Sequence, residues 1–498
     1  MTPSPTRRSG PTSRPGFDIS APITVAFGAR TDTGRVRDHN EDNFLVDKKL
    51  HLYVLCDGMG GHAAGAVASA TAVNVVHESV VERQELLDRA TPRPGDRREV
   101  ASLVENSVQR ACYRIFERAV QNPRERGMGT TLTMLLLTGG RAYLGHVGDS
   151  RAYLLRDGSL YQLTEDHSLL NEMVKHGRVR SADDVSERFR NAVTRAVGVH
   201  ESVEVDVIDL DVLPGDRFLL CSDGLHGLAD DHTIHRLVTS APDEDAACQS
   251  LIACANDRGG HDNVTAVVVS VLEVPGVDAA HVRLRMETLR SLVLFRYLTF
   301  QELLKVQNIA VERHVEPGGS IFHAGTIEHC AYVVLNGRVR IRKDNVVIAV
   351  LESGYHFGEM ALVDNTPRTA DATAVEATEL LVIHRPQFYE LMRKNPSLAI
   401  KLLWSFVKAL TIRLRVTNSE LSLVKGLYYS VRPDEVDRLP VSWLQPGEPS
   451  EVRARPPEAE LVPEPQPEPG PEPPPLPEED LTEPEPPPLP DPDPDDTP

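Results

Sequence analysis

The chain reads GRVRDHNED at 34–42, VLCDGMGGH at 54–62, VGDSRAYLL at 147–155, CSDGL at 221–225 and GGHDNVT at 259–265. These strings place Asp42, Asp57, Asp149, Asp223 and Asp262 beside Gly or Asn, in what read as turns. Asp57 follows the apolar run LYVLC, Asp223 follows FLLCS, and Asp262 precedes VTAVVVSVL. Asp149 sits between two β-rich runs. A carboxylate at the end of a buried strand is desolvated on one side and open on the other. Several of them converging would repel one another strongly unless a cation sat between them. The pattern points to a hard divalent-metal site and to metal-assisted chemistry on an oxygen-rich substrate.

In this order, with MGTTLTMLLL (128–137), LTEDHSLL (163–170) and AVTRAVG (192–198) between them, the strings resemble the metal-dependent protein serine/threonine phosphatases of the type 2C family. The resemblance covers about residues 23–273. It implies an α+β fold in which two antiparallel sheets stack face to face with helices on both outer sides, an α-β-β-α sandwich. It implies hydrolysis of phosphoserine and phosphothreonine on proteins. By the same resemblance, Asp57 bridges two metals and the Gly58 carbonyl completes one sphere, while Asp223 and Asp262 are ligands of the first metal. Asp42 contacts the centre partly through water, with Glu41 and Asn263 as supporting residues. Asp149 and Asp223 match positions that hold a third, weaker metal in bacterial members. Arg37, four residues before Glu41, matches the arginine that clamps the substrate phosphate, a charge-assisted and bidentate role suited to guanidinium. Ligands that are all carboxylate, carbonyl and water suit Mg or Mn and argue against Zn.

One departure concerns the leaving-group acid. Met59 stands where some family members carry a His, and His62 comes three residues later. Taken singly, an Asp-Gly pair is a turn, and Asp157-Gly158 in LLRDGSLYQL reads as the turn of a hairpin. His39, His167 and His261 read as turn or supporting residues. Cys56 and Cys221, inside apolar strands, read as small buried core residues.

At 498 residues the chain has room for two or three domains. No apolar run approaches a transmembrane helix. The start, MTPSPTRRSGPTSRPG, has positive charge and no apolar h-region, so residues 1–22 read as a disordered lead and not a signal peptide. Six Cys without paired spacing fit a reducing cytoplasm. The net charge of −20 is concentrated at the end: from 441 onward sixteen Asp or Glu face two Arg, which leaves −6 for the first 440 residues. Residues 427–498, built of Glu-Pro, Pro-Pro and Asp-Pro units, read as a disordered, extended tail of polyproline II character. Its PPPLP segments at 473–477 and 486–490 suit a proline-recognition partner, with a repulsive brush as the other reading. No basic stripe exists for nucleic acid.

After a linker at 274–290 the pattern changes. Residues 291–426 carry a helix, then short alternating strands with Gly-marked turns, then a helical stretch from 386. Asn336-Gly337, between YVVL and RVRI, reads as a hairpin turn. The stretch resembles the cyclic nucleotide-binding domain, a β-roll flanked by helices, and FGEMALVDNTPRTADATA resembles that family's phosphate-binding cassette. The resemblance assigns Glu359 to the ribose 2′-hydroxyl and Arg368 to the cyclic phosphate. It assigns the backbone amides of Gly358, Met360 and Ala361 to the same phosphate. Thr369 permits cGMP without excluding cAMP.

Three functions are open to such a chain. The first is a cytoplasmic Mn- or Mg-dependent phosphoprotein phosphatase with cyclic nucleotide as regulatory ligand. The second is a catalytically silent phosphatase-like module in a cyclic-nucleotide sensor. The third is an unregulated phosphatase whose β-roll is a docking scaffold. The complete acidic set argues against the second.

Overall fold

The computed structural model describes residues 23–60, 63–91, 93–175, 178–179 and 192–431. The N-terminal lead, His62, residues 176, 177 and 180–190 of the polar stretch 168–190 that the sequence suggests as a helical flap near the site, and the tail beyond 431 lie outside the described residues.

The first module contains β1 (Thr24–Asp32), β2 (Asp42–Asp47), β3 (Leu52–Met59), β4 (Gly129–Thr130), β5 (Leu132–Thr138), β6 (Arg141–Val147), β7 (Arg151–Arg156), β8 (Ser159–Gln162), β9 (Asp206–Asp211), β10 (Arg217–Cys221) and β11 (Val264–Glu273). One antiparallel sheet runs β2-β3-β5-β6-β9, with β4 on β3; the other runs β1-β11-β10-β7-β8. The two-residue alternation of side chains decides which layer each strand feeds. On β3, Leu52, Val54 and Cys56 pack against the helices Ala63–Val81 and Pro94–Gln121, while Tyr53 and Leu55 point into the space between the sheets. On β11, Val267, Val269 and Val271 face that same space, and Val264, Ala266 and Val268 meet the helices Asp231–Ser240 and Glu244–Asp257. The result is the expected four-layer α-β-β-α sandwich. The β7–β8 hairpin turns on Asp157 and Gly158, both at positive φ.

The second module contains β12 (Ala310–Val315), β13 (Ser320–Phe322), β14 (Cys330–Asn336), β15 (Val339–Lys343), β16 (Val346–Leu351), β17 (His356–Phe357), β18 (Asp371–Ala374) and β19 (Thr378–His384). They form two four-stranded sheets, β12-β19-β14-β17 and β13-β18-β15-β16, with Tyr332, Val334, Leu380, Phe322, Ala372 and Val339 among the side chains filling the roll. The Asn336-Gly337 turn differs from expectation: it does not close a hairpin. β14 pairs with β19 and β17, and β15 pairs with β16 and β18, so the turn carries the chain from one sheet to the other. A Cβ on Gly337 would lie 2.6 Å from the Ala377 carbonyl, which shows how closely that crossing turn packs. The two-residue hairpin is instead at Asp344-Asn345, both left-handed, between β15 and β16. The helical stretch is two helices, Arg385–Lys394 and Pro396–Val431. Phe388, Leu391, Leu398 and Phe406 are buried in them, whereas Trp404 is 57% exposed.

The segment joining the modules is itself helical. The helix Ala279–Ser291 is capped by Asp278, and Phe300–Ile309 opens on a Thr299–Glu302 capping box. The second of these helices has two buried faces. Leu304 lies in the core between the two sheets of the first module, while Leu303 and Val306 pack with the helices and outer sheet face of the second module. Arg285 bridges Asp211 of β9 and Glu312 of β12. Asn308 accepts from Arg97 (2.8 Å) and Arg141 (3.2 Å), both also paired with Asp209.

Candidate functional site

Strand register gathers the acidic residues. Asp42 and Asp57 are cross-strand partners in the β2–β3 ladder. Cys221, at the end of β10, pairs with Arg151 on one side and Ala266 on the other. Asp223 two residues past β10, Asp149 two residues before β7 and Asp262 two residues before β11 are thereby brought to one end of the second sheet. The two sheet ends face each other, so residues separated by more than two hundred positions share one site.

The electrostatics record that convergence. Burial first, then the charges of Asp42, Asp223, Asp149 and Asp262, push the Asp57 carboxyl well above the usual carboxylate range. Burial raises Asp42 to about 7 against the opposing hydrogen bonds of Thr265 and Ser222. Burial and then Asp223 and Asp166 raise Asp149 to about 8. Asp223 is raised as well, by burial and then by Asp262. One oxygen of Asp42 accepts from Ser222 Oγ at 2.8 Å and Thr265 Oγ1 at 2.6 Å. Its other oxygen, Oδ1, and Oδ1 of Asp223 are buried with no hydrogen-bond partner. A buried acceptor left open costs about 1–3 kcal/mol, more when charged. Such atoms are where a cation would bind. No three His, Cys, Asp or Glu side chains among the described residues stand in ready metal-ligating proximity. Oδ2 of Asp262 is held by Arg37 at 2.8 Å.

The remaining expected residues surround this cluster. Arg37 lies in the β1–β2 loop with its side chain 50% exposed and its guanidinium paired with Asp262. Asn263 ties the loops together: its Oδ1 accepts from the Glu41 N–H at 2.8 Å, and its Nδ2 donates to the Thr33 and His39 carbonyls at 3.0 and 2.9 Å. Gly58 is required by close approach, since a Cβ there would sit 2.2 Å from the Gly65 carbonyl at the start of the following helix.

Thr130, Thr131 and His226 support the cluster without having been singled out in the sequence, whereas His167 takes the supporting place read for it. Thr131 Oγ1 accepts from the Asp57 N–H at 2.9 Å, and Thr130 Oγ1 donates to the Asp57 carbonyl at 2.8 Å. His226 donates to the Asp149 carbonyl at 2.9 Å; burial, then Arg151, lowers this imidazole to about 4 and keeps it neutral. His167 Nδ1 accepts from the Gly148 N–H at 3.1 Å and so grips the turn that carries Asp149.

In the second module, Arg368 lies almost wholly inside the roll. It donates to the Gly358 and Cys330 carbonyls at 3.1 and 2.7 Å and stacks 4.2 Å above the Phe322 ring. Its Nε is buried without a partner. Gly358 has φ +70°, and a Cβ there would lie 2.6 Å from the Arg368 guanidinium. Glu359 is buried and paired with Arg413 of the helix Pro396–Val431. One expectation changes: the Ala361 N–H is not free for a phosphate, because it donates to the Gly358 carbonyl at 3.2 Å. Met360 and Thr369 are exposed.

The four-layer sandwich thus carries a buried multi-aspartate centre at one end with an arginine beside it. Residues 34–273 match the family model for protein phosphatase 2C, and residues 312–395 match that for the cyclic nucleotide-binding domain. The chain is 35% identical over 243 residues to the serine/threonine phosphatase stp of Listeria innocua, covering 48% of this chain and 93% of that protein. It is 38% identical over 251 residues to the serine/threonine protein phosphatase PstP of Mycobacterium tuberculosis, covering 50% of this chain and 46% of that one. A crystal structure of the M. tuberculosis phosphatase PstP/Ppp is 36% identical, covers 50% of this chain and 99% of its own, and has a TM-score of 0.45. The chain belongs to the protein phosphatase 2C family: it is a serine/threonine phosphatase, joined to a cyclic nucleotide-binding domain. No helix among its described residues is long and apolar enough to cross a membrane.

Proposed function

We propose that the chain dephosphorylates phosphoserine and phosphothreonine proteins with two Mn or Mg ions, and that cAMP or cGMP bound in the β-roll regulates it. The observation carrying the catalytic part is the convergence of Asp42, Asp57, Asp149, Asp223 and Asp262, with buried, partnerless oxygens on Asp42 and Asp223. The donor set is all oxygen, which fits a hard divalent cation. Asp57 would bridge two ions with the Gly58 carbonyl beside it. Asp223 and Asp262 would hold the first, Asp42 would act partly through water, and Asp149 with Asp223 would hold a third. When bound, such cations supply Lewis acidity that activates water and polarises a phosphoryl oxygen. The chain's own residues do the rest. Arg37 transfers its guanidinium from Asp262 to the phosphate, which orients it and offsets its charge. Asn263 and Glu41 keep the Arg37 loop in register with Asp262. The Thr130 and Thr131 hydroxyls hold the Asp57 backbone.

For the second module, Arg368 and Glu359 at the cassette positions support a cyclic nucleotide with its phosphate at Arg368 and its ribose at Glu359. Six free cysteines suit a reducing cytoplasm, and the Pro-rich tail suits a proline-recognition partner. The test is hydrolysis of a phosphothreonine peptide with Mn, alone and with saturating cAMP or cGMP. Mn-dependent turnover that changes with either nucleotide supports the proposal. Turnover indifferent to both, with nucleotide binding confirmed, removes regulation and leaves the roll as a docking scaffold.

A further inference from the structure

The two charged residues of the cassette already have internal partners: those of Arg368, including Glu328 at 3.6 Å, belong to the roll itself, whereas that of Glu359 comes from a helix beyond it. Arg368 bonds to fixed carbonyls of its own roll. Glu359 is held by Arg413, which arrives from the long C-terminal helix and is itself 56% exposed. That guanidinium can leave into solvent without disturbing the core. The same helix contacts the joint between the modules. Lys401, three turns earlier, pairs with both oxygens of Glu302 at 2.9 Å, and Leu398, Leu402 and Phe406 pack with Leu303 and Val306.

From Glu302 the path runs along Phe300–Ile309 to the phosphatase. Phe300 stacks on Tyr161 with ring centroids 4.1 Å apart. Gln301 Nε2 donates to the Gln162 and Thr164 carbonyls at 2.8 and 3.0 Å. The loop so clamped is the one that holds Asp149 in place. Asp166 pairs with Arg151 at 2.7 Å, and the His167 N–H donates to the Gly148 carbonyl at 2.8 Å. An open groove of about 430 Å³ between Tyr161, Gln162, Asp166 and Phe300, Gln301 leaves the helix start room to shift against the loop.

We propose that Arg413 is a built-in competitor for the ribose position of the nucleotide site, and that its displacement is transmitted through Lys401–Glu302 and Gln301 to the loop that positions Asp149. The inference rests on the reading that the roll binds a cyclic nucleotide. Nucleotide and the Arg413–Glu359 pair are mutually exclusive, so part of the intrinsic affinity is lost to closing the helix. The helix Phe300–Ile309 carries the movement because its two faces are buried in the two modules.

The test uses the full chain, with cAMP and cGMP titrated by calorimetry and phosphopeptide turnover followed in parallel. Arg413→Ala should bind nucleotide more tightly, by about five-fold if the pair is as strong as a typical half-exposed bridge. Gln301→Ala should bind with wild-type affinity yet lose the effect of nucleotide on kcat. Arg413→Ala that binds more weakly than, or equally to, the wild type overturns the competition. Gln301→Ala and Glu302→Gln that both keep the full nucleotide response overturn the route. No binding by either wild type or Arg413→Ala removes the underlying reading and the proposal with it.

Discussion

Removing divalent metal from this protein should make its stability fall as pH rises. Burial and mutual repulsion raise the Asp42 carboxyl from 3.8 to about 7 and Asp149 from 3.8 to about 8, with Asp57 and Asp223 raised in the same direction. A group whose folded pKa lies above its unfolded value stabilises the fold fully below the unfolded pKa. That contribution is lost as pH rises through the folded pKa. Between pH 5.5 and 8.5 the loss summed over the cluster is on the order of a few kcal/mol. For a domain of this size that corresponds to a fall of roughly 10 °C in Tm. The assay is thermal unfolding of the EDTA-treated chain from pH 5.5 to 8.5, beside the same series for Asp42→Asn. The difference between the two series largely cancels groups titrating elsewhere. Mn should restore the wild type most at pH 8.5, where the carboxylates are ionised and ready to bind it. A wild-type curve that tracks Asp42→Asn at every pH, or Mn stabilisation equal at both ends of the range, would refute the reasoning.

Arg37→Ala should lower kcat/KM on a phosphopeptide by about 2–4 kcal/mol in transition-state terms, while Mn still raises Tm as in the wild type; unchanged kinetics would return Arg37 to the surface. Arg368→Ala should abolish the heat of cAMP and cGMP binding. It should also destabilise the second module by about 1–3 kcal/mol by removing the Arg368 bonds to the Cys330 and Gly358 carbonyls; retained nucleotide binding would contradict its assignment.

How much of this was legible in the chain depends on whether the signal was local. The five aspartates were readable because each sits at a turn next to a strand, and strand ends are where a sheet collects functional groups. Their convergence was expected from the motif order and the family resemblance, but its physical cause was not readable: it needs the β2–β3 register that pairs Asp42 with Asp57 and the β10 contacts that align Arg151 with Ala266. The Ser222 and Thr265 hydroxyls on Asp42 lay inside the quoted strings, yet a hydroxyl beside a turn is ordinary until its acceptor is known. His226 was less visible still, because its partner is a backbone carbonyl 77 positions away. The Asn336-Gly337 misreading has the same origin. The dipeptide encodes a tight turn, whereas which strand pairs across it is set by long-range β14–β19 contacts. The helix Phe300–Ile309 shows the limit of periodicity: apolar positions mark buried faces, and nothing in them says that the faces belong to different modules.

The most direct test of the account is the turnover of Asp57→Asn on a phosphothreonine peptide at saturating Mn, measured beside wild type with and without EDTA. Asp57 is the carboxylate on which the charges of Asp42, Asp223, Asp149 and Asp262 all act, and the one assigned to both ions. The account predicts that EDTA abolishes wild-type activity. It also predicts that Asp57→Asn, still folded by thermal unfolding, loses roughly three orders of magnitude in kcat, about 4 kcal/mol of barrier. Wild-type turnover that persists in EDTA, or an Asp57→Asn enzyme within ten-fold of the wild type, would contradict it.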